Sequence, residues 1–318
     1  MTLYYIAHRL FAAHDRALAA ALAHRLCEKY GAESVFLPFC DTDEENLVAD
    51  RKGQRLFELD TERLGRITAM AALLHGPSLD DGVCMEIGYT AARGIPVISV
   101  TSDFQTYGPG QTSRGHILFP DPLLPAVLSS TIKNHLLGSV TGSHPDPYSA
   151  FLAQNLATIE DLLDQTITAL NGPLHPARPF PAIDDQNRVA YLEPSPYAAD
   201  ERMDHIAGLL DEAGWDIHLA CRFNGPDNLQ CARADWTALS RCSLAIVDIA
   251  GPETPPGAAM AIGACVATGR PVYAPDPGSW WTFADGREPN YRNLMVQYGI
   301  TATFNQPERL LDLLPGNK

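Results

Sequence analysis

Short apolar runs alternate with longer amphipathic segments along the first hundred residues. Residues 3–7 (LYYIA) form a run typical of a strand, and apolar residues spaced by four within 12–30 predict a helix that Gly31 ends. The same reasoning predicts further strands at 34–38, 69–74 and 96–100, helices at 56–67 and 84–93, an acidic loop at 41–52 and a glycine-bounded loop at 76–82. This alternation is typical of a doubly wound α/β domain with a parallel sheet, which binds ligands beyond the carboxyl ends of its strands.

The pattern starts again in the second half of the chain. A helix is predicted at 151–170, and the segment 173–187 holds four prolines, which indicates a linker between domains. After it, residues 189–197 (VAYLEPSPY) resemble residues 3–11 (LYYIAHRLF), and a helix, Gly214 and a strand at 215–219 follow. We therefore predict two domains, 1–172 and 185–318.

The two halves are copies of one domain. Residues 60–97 align with residues 235–272 without a gap, at a constant offset of 175 positions. A third of the aligned positions are identical, which indicates a tandem duplication. The identical pairs include Asp60/Asp235, Leu64/Leu239, Gly76/Gly251, Gly82/Gly257, Met85/Met260, Gly88/Gly263, Gly94/Gly269 and Pro96/Pro271.

The second copy has lost its carboxylates and kept its apolar and glycine positions. Asp80 of the first copy corresponds to Pro255, and Glu86 corresponds to Ala261. Acidic residues that disappear while the packing residues stay indicate chemistry rather than folding. Glu86 and Asp80 are therefore candidate catalytic residues of the first copy.

Composition excludes several classes of function. The 318 residues carry a formal net charge of −15 and no basic stripe, which argues against a nucleic acid polymer as partner and favours a small ligand. Seven cysteines without a C-x-x-C pair indicate reduced thiols and a cytoplasmic protein. We find no signal peptide, no apolar run long enough to span a membrane, no metal-ligand spacing and no dinucleotide or phosphate-loop motif, and we therefore expect neither metal nor cofactor.

The residues around Glu86 resemble the nucleoside 2-deoxyribosyltransferase family. Residues 80–97 read DDGVCMEIGYTAARGIPV, and the family pattern is D-x-G-x-x-x-E-I-G-Y-A-x-x-x-G-x-P-V. Residues 5–11 (YIAHRLF) are similar to the family's first strand, although His8 and Arg9 stand where the family often has Gly-Pro. The resemblance covers most of each half apart from about 120–188, and it implies two tandem flavodoxin-like domains.

The resemblance implies roles for the residues of the first copy. Glu86, which we expect in the first turn of its helix, would attack the anomeric carbon of a nucleoside and hold the sugar as an ester. Asp80 would hydrogen-bond sugar hydroxyls, and Tyr5 would position Glu86 or be an ordinary core tyrosine. Asp60 would face the nucleobase, although a structural role is equally compatible because Asp235 survives in the second copy. Gly82 and Met85 would line the pocket, with a core position as the alternative for Met85.

A dimeric arrangement is also implied, because in this family a subunit lends an Asn-x-Met segment to its neighbour's site. Here that segment is Asn293-Leu294-Met295, and the matching stretch of the first half is residues 116–119 (HILF). The first copy then has the glutamate and lacks the Asn-x-Met segment, whereas the second copy has the segment and lacks the glutamate. This predicts an internal pseudo-dimer with one complete site formed by Glu86, Asn293 and Met295. Such a chain could act as a monomer, or three chains could form a six-domain homo-oligomer.

The predicted reaction moves (deoxy)ribose between nucleobases, with a nucleoside and a free base as partners. An unphosphorylated nucleoside is expected because Asp80 would repel a phosphate. Hydrolysis on the same nucleophile and non-catalytic nucleoside binding are the alternatives. The sequence is compatible with a purine or a pyrimidine base and with ribose or 2-deoxyribose.

Overall fold

Two parallel sheets of five strands each are formed by the part of the chain that the computed structural model describes, which is residues 2–42, 51–108, 116–184, 187–198, 200–224, 227–278 and 290–314. The first sheet contains β1 Tyr4–Ala7, β2 Val35–Phe36, β3 Ala69–Leu73, β4 Val97–Thr101 and β5 Ser130–Lys133. Its helices are α1 Ala13–Tyr30, α2 Lys52–Leu64, α3 Asp81–Ala92, α4 Leu123–Val127 and α5 Pro147–Leu170.

The second sheet repeats this arrangement. Its strands are β6 Val189–Glu193, β7 Asp216–Leu219, β8 Leu244–Val247, β9 Val272–Pro275 and β10 Ala302–Phe304. Its helices are α6 Asp200–Glu212, α7 Asn228–Arg241, α8 Pro256–Thr268, α9 Leu294–Gly299 and α10 Leu310–Leu313, and short 3₁₀ turns span Ala32–Ser34 and Pro307–Arg309.

Both sheets have the same strand order, β2-β1-β3-β4-β5 in the first and β7-β6-β8-β9-β10 in the second. This is the flavodoxin-like order, and all the pairings within the sheets are parallel. The predicted fold class, two tandem flavodoxin-like doubly wound domains, is therefore confirmed. The first sheet and its helices end at Leu170 and the second sheet begins at Val189, and we retain 1–172 and 185–318 as proposed domain limits.

The apolar runs of the sequence form the central strands of the first sheet. β1, β3 and β4 are buried along their whole length, as strands covered by helices on both faces must be. The predicted strand at 34–38 is shorter, because Pro38 has no N–H to donate and Phe39 has a φ of +68°. Most of the predicted acidic loop, residues 43–50, lies outside the described residues.

The two domains pack through α3 and α8, and glycine makes their close approach possible. A Cβ atom on Gly88 of α3 would lie 2.0 Å from the carbonyl oxygen of Met260, and one on Gly263 of α8 would lie 1.9 Å from that of Met85. Gly88 corresponds to Gly263 and Met85 corresponds to Met260, so the two contacts are related to each other as expected at a pseudo-two-fold axis. One hydrophobic cluster continues across this interface, so the inner faces of the two sheets share a core.

The outer face of each sheet is covered separately. Residues of α1 and α5 cover the first sheet, and residues of α6 and α10 cover the second. The proline-rich segment between the domains packs against both of them, because Phe180 N donates to Ala92 O and its ring lies 4.8 Å from the Trp236 ring. Within the described ranges no helix is both long and apolar enough to cross a membrane.

Candidate active site

β1 and α3 bring Tyr5 and Glu86 together. β1 is paired with β3, and α3 follows β3, so the strand end and the helix share the carboxyl edge of the sheet. Tyr5 is fully buried and Glu86 exposes 6% of its surface. The Tyr5 hydroxyl donates a hydrogen bond of 2.6 Å to Glu86 Oε1, which holds this carboxylate in one orientation.

The position of Glu86 on its helix differs from the expectation. Helix α3 begins at Asp81, so Glu86 lies in the second turn and the prediction of a first-turn position is wrong. The helix starts earlier because Asp80 caps it: Asp80 Oδ1 accepts a hydrogen bond of 3.0 Å from Val83 N. The helix dipole acts mainly on the first turn, so it contributes less at Glu86 than we expected.

Two adjacent carboxyl groups begin α3. Burial raises the pKa of Asp80, although its helix-cap hydrogen bonds and the Arg9 cation act in the opposite direction. Burial and then repulsion by Asp80 raise the pKa of Asp81 to about 7. Asp81 was not among the predicted site residues, and its direct sequence neighbour Asp80 was the signal that could have indicated it. The start of α3 therefore takes up a proton more readily than two exposed carboxyl groups would.

The second domain reaches this site through the start of α9. Asn293 caps α9, its Oδ1 accepting a hydrogen bond of 2.9 Å from Met295 N. A Cβ atom on Gly82 would lie 2.7 Å from Asn293 Nδ2, so only glycine leaves room for this amide. Gly82 precedes Glu86 by one helical turn. The structure thus brings Asn293 to the start of the helix that carries Glu86.

The two methionines and Asp60 occupy buried positions around this arrangement. Met85 lies in the α3–α8 contact, and its Cε would be 3.5 Å from a Cβ on Gly299 of α9, which matches the core position kept open for it. Met295, one residue into α9 beyond Leu294, is 4% exposed. Asp60 is buried on α2.

The counterpart of Asp60 has a clear structural function. Asp235 of α7 accepts hydrogen bonds from Cys221 N and Arg222 N, and it lies 2.8 Å from His218 Nε2. These contacts fix the loop that follows β7. The structural alternative that the sequence left open is therefore realised in the second copy.

Arg9 and His8 follow β1 at the same edge of the sheet. Arg9 Nη2 donates a hydrogen bond of 2.7 Å to Ser78 O, which ties this segment to the loop before α3. His8 is buried, its Nδ1 lies 3.2 Å from Ile6 O, and burial lowers the pKa of its imidazole. A cation thus lies at the rim of the site where the family often has Gly-Pro.

The pseudo-equivalent site is filled by an arginine. Arg222 is 1% exposed and donates to Asp121 from Nε at 2.7 Å and from Nη2 at 2.9 Å. Its Nη1 donates to Glu193 Oε2 at 3.0 Å, and Tyr191 Oη donates to the same oxygen at 2.8 Å. Asp121 also accepts 2.9 Å from Gly257 N. The guanidinium group and two carboxylates therefore occupy this location.

This geometry corrects the predicted match for the Asn293 segment. The equivalent of Asn293 is Asp121, not a residue of 116–119, because Ser129 Oγ accepts from Val97 N just as Thr301 Oγ1 accepts from Val272 N. The first copy therefore does lend a polar residue to its partner domain. The predicted match to residues 116–119 is therefore wrong, whereas residues 121–123 read DPL and do not form an Asn-x-Met segment.

No group of three or more metal-binding side chains occurs in the described part of the chain.

Comparison with known proteins gives a family match for the first domain. Residues 4–139 match the profile of a family described as nucleoside 2-deoxyribosyltransferase. The crystal structure of a conserved protein from Enterococcus faecalis is similar over 36% of this chain and 68% of that chain, with 29% identity and a TM-score of 0.26. No curated protein matches the chain. The matched segment contains Tyr5, Asp80 and Glu86, so the first half of the chain is similar to the nucleoside 2-deoxyribosyltransferase family.

Proposed function

We propose that the first site transfers the (deoxy)ribose of an unphosphorylated nucleoside between nucleobases through an ester with Glu86. The observation that carries this proposal is the Tyr5–Glu86 hydrogen bond of 2.6 Å beneath the start of α3. In the pseudo-equivalent site Ala261 replaces the glutamate and Arg222 fills the space. The tyrosine-bound carboxylate of that second site, Glu193, is paired with Arg222, which leaves Glu86 as the single candidate nucleophile.

In the first half-reaction a Glu86 oxygen attacks C1′ of the sugar. The C1′–O bond to Glu86 forms as the C1′–N bond to the base breaks, and the bonding electrons leave with the base nitrogen. Positive charge develops on the sugar in this transition state, and the Glu86 carboxylate stabilises it. A proton reaches the departing base, for which we propose Asp60 as the donor.

In the second half-reaction a ring nitrogen of the incoming base attacks C1′ and displaces Glu86, which leaves as a carboxylate. The N–H proton of that nitrogen passes to Asp60, which gave up its own proton in the first half-reaction. Two successive inversions at C1′ give a product with the configuration of the substrate. Tyr5 keeps the carboxylate oriented in both steps through its hydrogen bond to Oε1. The protein does not need to supply a cofactor for either step.

The remaining candidate residues would bind the substrate. We assign Asp80 and Asn293 to the sugar hydroxyls, with Gly82 leaving room for the Asn293 amide. Met85 and Met295 would contribute apolar surface beside them. A carboxylate here favours a hydroxyl over a phosphate at the 5′ position, and the protein would therefore act in nucleoside salvage.

A chromatographic transfer assay tests the reaction. The protein is incubated with deoxyinosine or thymidine together with free adenine, and we expect a new deoxyadenosine peak. Glu86→Ala should abolish this peak. Glu62→Ala, the same change at an exposed glutamate of α2, is the matched control and should leave it unchanged.

Other outcomes separate the alternatives. Release of free base without deoxyadenosine would show hydrolysis on the same nucleophile. No turnover with a panel of nucleosides and their 5′-monophosphates would contradict an enzyme and leave a nucleoside-binding protein. Faster turnover of a 5′-monophosphate than of its nucleoside would overturn the assignment of Asp80.

A further inference from the structure

The first half of α5 presents apolar side chains that the described residues of its own domain leave exposed. Within residues 147–157 no side chain is buried, whereas the second half of the helix packs into the core. Large apolar side chains follow one another at helical spacing on this exposed segment. They are Tyr148, Phe151, Leu152 and Leu156, which expose 83%, 57%, 60% and 52% of their surface.

The loop that follows β5 extends this surface. Gly138 N donates to Gln154 O at 3.1 Å and Thr158 Oγ1 donates to Leu136 O at 2.7 Å, so the loop lies against α5. Leu136 and Leu137 in this loop expose 69% and 52%. We refer to these six side chains, Leu136, Leu137, Tyr148, Phe151, Leu152 and Leu156, as the α5 surface.

The charges around the α5 surface restrict what can cover it. Residues 147–159 contain no charged residue, and no Lys or Arg occurs between 134 and 177. A membrane-binding surface would carry basic residues for anionic lipids, and this one has none. The chain as a whole carries −15, so two copies repel each other wherever their acidic surfaces meet. Two copies can approach each other through the uncharged α5 surface without bringing acidic side chains together.

We propose that the α5 surface is the contact between two copies of this chain, related by a two-fold axis that sets α5 against α5. An uncharged apolar patch is self-complementary, as a two-fold interface requires. Its six side chains expose roughly 700 Å², close to the ~800 Å² that each partner contributes to a standard interface. The dimer would pair two complete internal pseudo-dimers, and the second domain stays outside this contact.

Sedimentation equilibrium of the full chain tests the proposal. The wild-type protein should sediment as two 34.6 kDa chains at micromolar concentration. Leu152→Glu places a charge on each side of the axis and should weaken association at least ~100-fold. Leu156→Glu provides an independent second variant. Leu313→Glu, the same change at an exposed leucine of α10, is the matched control and should remain dimeric.

Salt dependence gives a second readout. Screening of the net charge should strengthen the dimer between 50 and 500 mM NaCl, because no ion pair supports an uncharged contact. Thermal unfolding shows whether each variant is folded. A monomeric wild-type protein, a folded Leu152→Glu dimer as tight as wild type, or binding of the monomer to anionic lipid vesicles would each overturn the proposal. The transfer activity of Glu86 is a separate measurement, so either proposal can fail alone.

Discussion

The two pseudo-equivalent sites of this chain share one arrangement of strands and helices, but they hold different charged groups. Each has a tyrosine in the first strand of its sheet, and each receives a polar side chain from the other domain at the glycine of its central helix. They differ in where the carboxylate partner of the tyrosine comes from. Tyr5 pairs with Glu86 of the helix, whereas Tyr191 pairs with Glu193 of its own strand.

This difference shows how a domain can lose a carboxylate from its central helix and keep its structure. In the second site the carboxylate is neutralised by Arg222, which also binds Asp121 of the first domain. The ion cluster therefore ties the domains together at the place where the first site would bind a ligand. The paired carboxyl groups that begin α3 are replaced by Pro255 and Pro256 at the start of α8.

The largest expected effect tests whether only one site is catalytic. Glu86→Gln should lower the transfer rate at least ~10³-fold, because the amide cannot form the sugar ester. Glu193→Gln changes the tyrosine-bound carboxylate of the second site and should keep most of the rate. Initial rates measured by chromatography compare them, and equal losses in both variants would show that the sites are not functionally distinct.

The second-largest expected effect is a loss of stability when Arg222 is removed from the second site. Arg222→Met leaves Asp121 and Glu193 buried without their cation and should lower the free energy of unfolding by about 3–5 kcal/mol. The loss should shrink between pH 8 and pH 5, because burial already raises the pKa of Glu193 and protonation removes the unpaired charge. Urea unfolding at several pH values measures this. A stability loss that is independent of pH would contradict the ion cluster.

Alanine substitutions at the two glycines where α3 packs on α8 should lower the free energy of unfolding by similar amounts. Gly88→Ala and Gly263→Ala each push a Cβ into a backbone carbonyl of the other domain, and each should cost about 1–3 kcal/mol. Gly208→Ala in α6, where a Cβ meets nothing within 4 Å, is the control and should stabilise by about 0.5–1 kcal/mol. If only one of the two interface variants is destabilised, the approach of α3 and α8 is less symmetric than described.

The smallest effect tests the acidic start of α3. The pKa of Asp81 is raised from 3.8 to about 7, so the folded state holds its proton more tightly than the unfolded state does. The stability that this proton provides is complete at low pH and is lost as the pH rises through about 7. Asp81→Asn should therefore be more stable than wild type by about 1–2 kcal/mol at pH 8, with the gain disappearing near pH 4. Thermal unfolding at both pH values measures the difference.

Much of this architecture could be predicted from the sequence, because it depends on local patterns. The apolar runs marked β1, β3 and β4, and the constant offset of 175 positions revealed the duplication. The short elements α4, β5, α9 and β10 were not predicted, because three to six residues are too few to show a period. Without them the match of Asp121 to Asn293 could not be found.

The sequence by itself determined the fold class, the repeat and the loss of Glu86 from the second copy, since these follow from periodicity and from aligned residue types. Only the tertiary structure decided that Asp80 caps α3, that Arg222 fills the second site and that Asp121 is the counterpart of Asn293. These facts depend on contacts between segments about 100 positions or more apart, or on where a helix begins. Such contacts are set by how two sheets pack across glycines, which leaves no periodic trace in the chain.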